Sequence, residues 1–320
     1  MTYDVVTMGE TMIRLTPPDH QRLEQTTSFE AHIGGSESNT SVGLVRLGMR
    51  VAWLSRLTDN PLGRLIAGTV ARYGVDTSQI VWTRNDRVGT YFYEPEIAPR
   101  PAQVVYDRAG SAFAHMQPDD VPEALFAADN ARHLHITGIT IAAGVDAAAH
   151  RALELARAAG WRFSFDVNHR ARLMDAVTAR AKYDLFAGAA DVLFIAQGDA
   201  KLIYEIDDDP EEVLDRMAEL YPRALIVLTR GASGAMARTP DGAITIQNAF
   251  PSAGVDRLGR GDAFSAGFLY GYLNGLETGM CLRWGAAMGA LKFTIPGDLP
   301  IVDVAHVRAL VEGAAGGSFR

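Results

Sequence analysis

Short apolar runs rich in branched side chains recur along this chain, and longer stretches with helical periodicity separate them. That alternation constrains the fold more than any other feature, because it is the pattern of parallel βαβ units. The spacing predicts strands at Tyr3–Met8, Val51–Ser55, His133–Ile136, Arg162–Val167, Asp191–Ile195 and Ala224–Thr229. The last contains Ala224-Leu225-Ile226-Val227-Leu228, the unbroken hydrophobic run expected of a strand covered on both faces. Helix punctuation lies between the strands. Asn60-Pro61 reads as N-cap and first helical residue before Leu62–Tyr73, and Gly74 closes that helix. Asp146 is expected to cap Ala147–Ala159, with Gly160 at the C-terminal left-handed position.

Two stretches break this rhythm. Residues 11–33 and 88–110 are polar, aromatic and proline-bearing, with strand-like alternation in Gly89-Thr90-Tyr91-Phe92-Tyr93. They are expected to form an accessory layer projecting from the main domain. The Gly/Ala-rich tail at Gly313–Ser318 is expected to fray.

Composition removes whole classes of function. A chain of 320 residues, 48% hydrophobic and 21% charged, closes a core without disulfides or structural metal. Cys281 is the single cysteine, so there is no internal disulfide and no zinc spacing; it reads as a small buried hydrophobe in a helix. A net charge of −8 argues against a broad nucleic-acid footprint, while leaving room for a local cationic pocket. The N-terminal residues lack a secretory pattern, and no stretch approaches the roughly 18–20 apolar residues that span a bilayer. A cytoplasmic protein without membrane contact is expected.

The segment Asp256-Arg257-Leu258-Gly259-Arg260-Gly261-Asp262-Ala263-Phe264 carries chemistry. Closely spaced glycines before a helix let an anion approach unpaired N–H groups and the positive end of the helix dipole. An aspartate there can accept a proton from a hydroxyl beside a bound phosphate, which is what phosphoryl transfer to an alcohol requires. Taken alone, the same residues also fit a Gly-rich turn capped by Asp262. A nicotinamide fingerprint is absent after the first strand, which continues as Met8-Gly9-Glu10-Thr11-Met12.

That segment resembles the carboxy-terminal signature of the PfkB/ribokinase family of carbohydrate kinases, Asp-x-x-Gly-Ala-Gly-Asp-Ala-Phe. Gly34-Gly35-Ser36-Glu37-Ser38-Asn39 resembles the amino-terminal signature, over 200 residues away and in the expected order. Asp166-Val167-Asn168-His169-Arg170 and Thr229-Arg230-Gly231-Ala232-Ser233-Gly234 stand at family positions after predicted strands. Within the family, Gly9-Glu10, Asp166–Arg170 and the stretch Tyr106 to Ala112 look most like the 2-keto-3-deoxygluconate kinase branch.

The resemblance covers nearly the whole chain, and what it implies is specific. The fold would be one ribokinase-like domain over residues 1–320: a three-layer α/β/α core around a mainly parallel central sheet, with a β-sheet lid from the two irregular stretches. The activity would be transfer of phosphate from ATP, with Mg2+, to a sugar or sugar-acid hydroxyl. Asp262 would be the base, and the backbone of Gly259, Arg260 and Gly261 the anion hole. Gly34, Gly35, Asn39, Tyr91, Tyr106, Arg108, Arg170 and Asp298 would bind the sugar. Arg108 and Arg170 would clamp a carboxylate through charge-assisted hydrogen bonds. Thr229, Gly231 and Gly234 would meet the nucleotide. Arg14 and His169 are weaker candidates for substrate contact. A homodimer through the lid is compatible with the apolar, aromatic character of Val88–Tyr93.

Three departures from the family pattern keep alternatives open. Arg260 stands where relatives carry Ala, its side chain facing outward or toward phosphates. Ala196-Gln197-Gly198-Asp199 replaces an Asn-x-x-Glu motif linked to magnesium, so the metal ligands stay unassigned, with Asp199 the one carboxylate kept. Ala286 stands where relatives place Asn. A kinase for a neutral sugar such as fructose or ribose, and a sugar-binding regulator without turnover, remain alternatives.

Overall fold

A computed structural model describes residues 2–313. The expected tail at Gly313–Ser318 lies outside this range from residue 314 onward. Nine strands form the larger sheet. From edge to edge they are Ile244–Gln247, Ala235–Arg238, Leu225–Thr229, Val192–Ala196, Arg162–Asp166, His133–Thr137, Val5–Met8, Val51–Thr58 and Ile80–Thr83. The seven from Leu225–Thr229 to Ile80–Thr83 run parallel, and the hairpin Ala235–Gln247 adds two antiparallel strands at one edge. Helices cover both faces, each over its own apolar cluster. One gathers Ala152, Phe163, Phe165, Leu193 and Met217; the other gathers Val51, Phe194, Val227, Phe268 and Met288. This is the α/β ribokinase-like architecture. Every predicted strand is found within one to three residues of its expected ends.

Local chemistry accounts for the helix boundaries. Asn60 caps Pro61–Arg72 by accepting from the N–H groups of Leu62 and Gly63, both at 2.9 Å, a device worth about 1 kcal/mol. Asp146 corrects the reading made from sequence. It is the first helical residue of Asp146–Ala158, and its carboxylate accepts from Lys182 Nζ at 3.0 Å instead of capping. A cation in reach outcompetes the helix N-terminus for that side chain. Cys281 is buried in the helix Thr278–Phe293 with its pKa pushed up to about 12 by burial, so the thiol stays protonated. Among the described residues, no helix is long and apolar enough to cross a membrane.

The two irregular stretches supply a second sheet of four strands, ordered Glu30–Gly34, Met12–Thr16, Thr90–Glu94 and Gln103–Asp107. Its strand Met12–Thr16 follows directly from Val5–Met8, and Glu30–Gly34 leads into the helix Ser36–Arg46. The small sheet is therefore attached at the carboxyl end of the parallel strand Val5–Met8. Open α/β sheets bind ligands at these strand ends.

Candidate active site

The helix Arg260–Leu273 starts at Gly259, whose φ of 74° is left-handed. A Cβ there would also stand 1.9 Å from the Asp298 carbonyl oxygen, so only glycine fits. The N–H groups of Gly261 and Asp262 have no backbone acceptor, as expected of a first turn, while that of Arg260 reaches the Arg257 carbonyl at 3.4 Å. Asp262 is therefore the third helical residue. It does not cap the turn, and its carboxylate faces the neighbouring helix Ser36–Arg46. Ser36 Oγ donates to Oδ1 at 2.6 Å, Asn39 Nδ2 to Oδ2 at 2.7 Å, and Asn168 Nδ2 approaches Oδ1 at 3.4 Å. Burial raises the Asp262 pKa, and the bonds from Ser36 and Asn39 pull it back down.

Two cavities meet at this helix start. The larger, about 670 Å3, is lined by Thr229, Gly231, Gly234, Arg260, Gly261 and Ala286, together with Arg257 and Phe293. The smaller, about 80 Å3, holds Gly34, Gly35, Asn39, Tyr91, Tyr106, Arg108, Arg170, Gly259, Asp262 and Asp298. Sequence reasoning thus named residues on both sides of one wall. Arg260 lines the larger cavity, its guanidinium 5.0 Å from the centre of the Phe293 ring.

Several side chains hold partners that the sequence did not reveal. Arg108 is buried, and its guanidinium is ion-paired with Glu10, so its charge is already shared. Both Glu10 oxygens and both Arg108 terminal nitrogens still lack a well-formed hydrogen bond. Arg170 is exposed; its guanidinium bonds to its own loop, at 3.0 Å from the His169 carbonyl. The Tyr91 hydroxyl donates to Asp298 Oδ2, and Arg14 Nη1 holds Asp298 Oδ1 at 2.8 Å. Arg14 also pairs with Asp256 at 2.7 Å, and so lies buried between two carboxylates instead of facing a ligand. The His169 ring is likewise buried, beside Tyr183, outside the small cavity. Gly34 is required by the protein itself: a Cβ there would fall 2.5 Å from the Asp298 carboxylate.

A second acid, half-buried, stands near Asp262. Asp166 ends its strand and accepts from Ser265 Oγ at 3.1 Å. Burial and then the Asp262 charge push its pKa up to about 8. Asp199, also raised by burial, accepts from the His169 N–H at 3.1 Å. No cluster of three or more His, Cys, Asp or Glu able to cage a metal occurs among the described residues. Ser36, Asn168, Asp166 and Asp256 all sat inside the motifs quoted from the sequence. Their roles went unassigned because side-chain direction is not visible in a linear pattern.

A glycine helix start shared by a large cavity and a small one, with a buried carboxylate on the small side, fits a small-molecule phosphotransferase. The model of the pfkB family carbohydrate kinases matches residues 2–301, and the chain belongs to that family. It is a carbohydrate kinase, transferring phosphate to an alcohol group. The 2-dehydro-3-deoxygalactonokinase of Haloferax volcanii is 36% identical over 100% of both chains. The 2-dehydro-3-deoxygluconokinase of Bacillus subtilis is 28% identical, covering 93% of this chain and 92% of its own. The crystal structure of 2-dehydro-3-deoxygluconokinase from Thermotoga maritima superposes with a TM-score of 0.90 at 31% identity, over 98% of this chain and 99% of that one.

Proposed function

We propose that this kinase phosphorylates the primary hydroxyl of 2-keto-3-deoxygluconate, the compound also called 2-dehydro-3-deoxygluconate, giving the 6-phosphate. The observation that carries this reading is the position of Asp262. Its carboxylate lines the small polar cavity, while Gly261, one residue away, lines the large one. A hydroxyl in the first and a terminal phosphate in the second would face each other across the helix start. The relatives named above act on deoxy-keto sugar acids, which supports an acid as acceptor.

In this mechanism Asp262 takes the proton of the primary hydroxyl as its oxygen forms a bond to the γ-phosphorus. The bond from that phosphorus to the bridging oxygen breaks, and ADP leaves with the electron pair. The free N–H groups of Gly261 and Asp262 and the helix dipole meet charge on the transferring group. Ser36 and Asn39 keep the Asp262 carboxylate aimed and ionised. Arg260, stacked on Phe293, adds a cation on the nucleotide side. Arg170 meets the substrate carboxylate, and the Glu10–Arg108 pair takes a hydroxyl and a carbonyl or carboxylate oxygen, completing its missing hydrogen bonds.

The chain offers few protein ligands for Mg2+. This fits an ion that keeps waters and phosphate oxygens, with Asp166 and Asp199 the nearby carboxylates to hold its water shell. Bound there, the metal would supply charge neutralisation on the phosphates.

A neutral sugar is the second reading, favoured by one observation: Glu10 already compensates Arg108. A panel of 2-keto-3-deoxygluconate, 2-keto-3-deoxygalactonate, gluconate, fructose and ribose with Mg·ATP, read by ADP release, decides between them. Turnover confined to the keto-deoxy acids is expected; preference for fructose or ribose would overturn the acid assignment. A homodimer through the small sheet belongs to the same reading, and light scattering at the mass of two chains is its test.

A further inference from the structure

One buried acid has no role in the chemistry above. Glu37 is the second residue of the helix Ser36–Arg46 and has 0% exposure. It stands between Ser36 and Asn39, the two residues of that helix that hold Asp262, yet it does not line the small cavity. Its Oε1 accepts from the Thr137 N–H at 2.9 Å, the Thr137 hydroxyl at 2.9 Å and the Thr140 hydroxyl at 2.7 Å. Oε2 is buried without a hydrogen bond and packs on Gly9, where a Cβ would stand 2.0 Å from it. A carboxyl group taken out of water is costly, so its place here points to the arrangement that it holds. Burial pushes its pKa up to about 7, against the pull of the bonds from Thr140 and Thr137.

The groups gathered on this carboxylate belong to three segments, and each segment lines the small cavity within two residues. Gly9 precedes Glu10, Thr137 comes two residues before Ile139, and Glu37 is flanked by Ser36 and Asn39; Glu10, Ile139, Ser36 and Asn39 all line the cavity. Thr137 ends the strand His133–Thr137, and Thr140 lies in the short helix Gly138–Ala142 that follows. Ser36 and Asn39 make the bonds to Asp262 at 2.6 and 2.7 Å. Glu37 therefore ties the first turn of their helix to the central sheet from behind. Alanine in its place would leave three buried donors unsatisfied and a gap beside Gly9. A shift of about 1 Å in a reacting geometry can cost about 100-fold in rate.

We propose that Glu37 is a positioning residue for phosphoryl transfer: by accepting from Thr137 and Thr140 it fixes the start of the helix Ser36–Arg46, and so aims Ser36 and Asn39 at the Asp262 carboxylate. The role requires the accepting oxygen Oε1, which an amide also supplies, and it does not require a charge. The proposal rests on the reading that Asp262 is the base.

The test is turnover of the full chain with Mg·ATP and the sugar selected by the panel, paired with calorimetric titration of Mg·ATP without sugar. Glu37→Ala is expected to lower kcat about tenfold or more and to leave ATP affinity within about threefold, since none of the residues gathered around Glu37 lines the large cavity. Glu37→Gln should regain most of the lost turnover. In a Ser36→Ala, Asn39→Ala background, Glu37→Ala should lower kcat by less than about threefold further, because the side chains that it aims are gone. A general structural role would cost the same in both backgrounds. Unchanged kcat in Glu37→Ala, a glutamine variant as slow as alanine, an equal loss of ATP affinity, or equal costs in the two backgrounds would each overturn the proposal. Should Glu37→Ala fail to fold, Thr140→Val decides, since it keeps the packing and removes one donor. A kcat lowered about threefold or more only where Ser36 and Asn39 are present supports the role, and any other result removes it. Asp262→Asn, measured alongside, separates the two readings. Slow transfer there with normal turnover in the Glu37 variants sinks only the role of Glu37; near-normal transfer there sinks the base reading and this one with it.

Discussion

Asn39 donates to the Asp262 carboxylate at 2.7 Å across 223 residues of sequence, joining the amino-terminal glycine motif to the carboxy-terminal one. With Ser36 on the other oxygen, it leaves Asp262 buried yet doubly hydrogen-bonded, the condition in which a carboxylate can stay ionised out of water. Asn39 was expected to touch the sugar; it lines the small cavity, and its amide also holds the carboxylate proposed as the base.

Asn39→Ala should therefore act through Asp262. Loss of a hydrogen bond to a charged acceptor is expected to lower kcat by about 10- to 100-fold with little change in KM for ATP. Because this bond lowers the Asp262 pKa, its removal raises that pKa, and the acid limb of the kcat/KM profile moves to higher pH. An unmoved limb would show that Asn39 does not tune the base.

Asp166 makes stability depend on pH. Its folded pKa is raised to about 8 from 3.8, so between those values the folded protein holds a proton that the unfolded chain has released. The stability tied to that proton is fully present below the unfolded pKa and is lost as pH rises through the folded one. Denaturant titrations of wild type and Asp166→Asn should diverge with rising pH from 5 to 8, wild type losing ground by at most about 1.4 kcal/mol per pH unit. Parallel curves would mean that Asp166 is ionised throughout.

Much of this was legible before any coordinates. Continuous apolar runs such as Leu225–Thr229 can only be buried strands, and the Asn60-Pro61 pair reports its helix start through local geometry alone. The two glycine motifs located both sides of the site because their spacing reflects backbone requirements. Asp146 was misjudged, and the partners of Arg14 and Arg108 were not foreseen, for a common reason. Each is decided by a partner distant in sequence or on another element, namely Lys182, the Asp256–Asp298 pair and Glu10.

On the proposed reading, Arg170 separates the acid from the neutral substrate. It is an exposed guanidinium at the small cavity, and among the described residues its hydrogen bonds go to carbonyls of its own loop. Arg170→Ala should raise KM for 2-keto-3-deoxygluconate about tenfold or more and leave any activity on a neutral sugar within about twofold. Equal effects on both would make Arg170 a loop-stabilising residue instead.

Gly259→Ala tests the helix start from the backbone side. A left-handed φ with a Cβ facing the Asp298 carbonyl is expected to cost more than about 1 kcal/mol of stability and to move the strap. The thermal midpoint should fall and kcat should drop further than folding alone explains. An alanine variant with wild-type midpoint and turnover would mean that the loop has slack that the packing does not suggest.

The central claim is that Asp262 accepts the hydroxyl proton, and Asp262→Asn addresses it directly. The amide keeps the size of the carboxylate and one accepting oxygen while removing its basicity. Single-turnover measurement with Mg·ATP and the sugar selected by the panel should show transfer slowed by about a thousandfold or more, with ATP affinity within a few fold of wild type. Transfer at a near-normal rate in that variant would contradict the account.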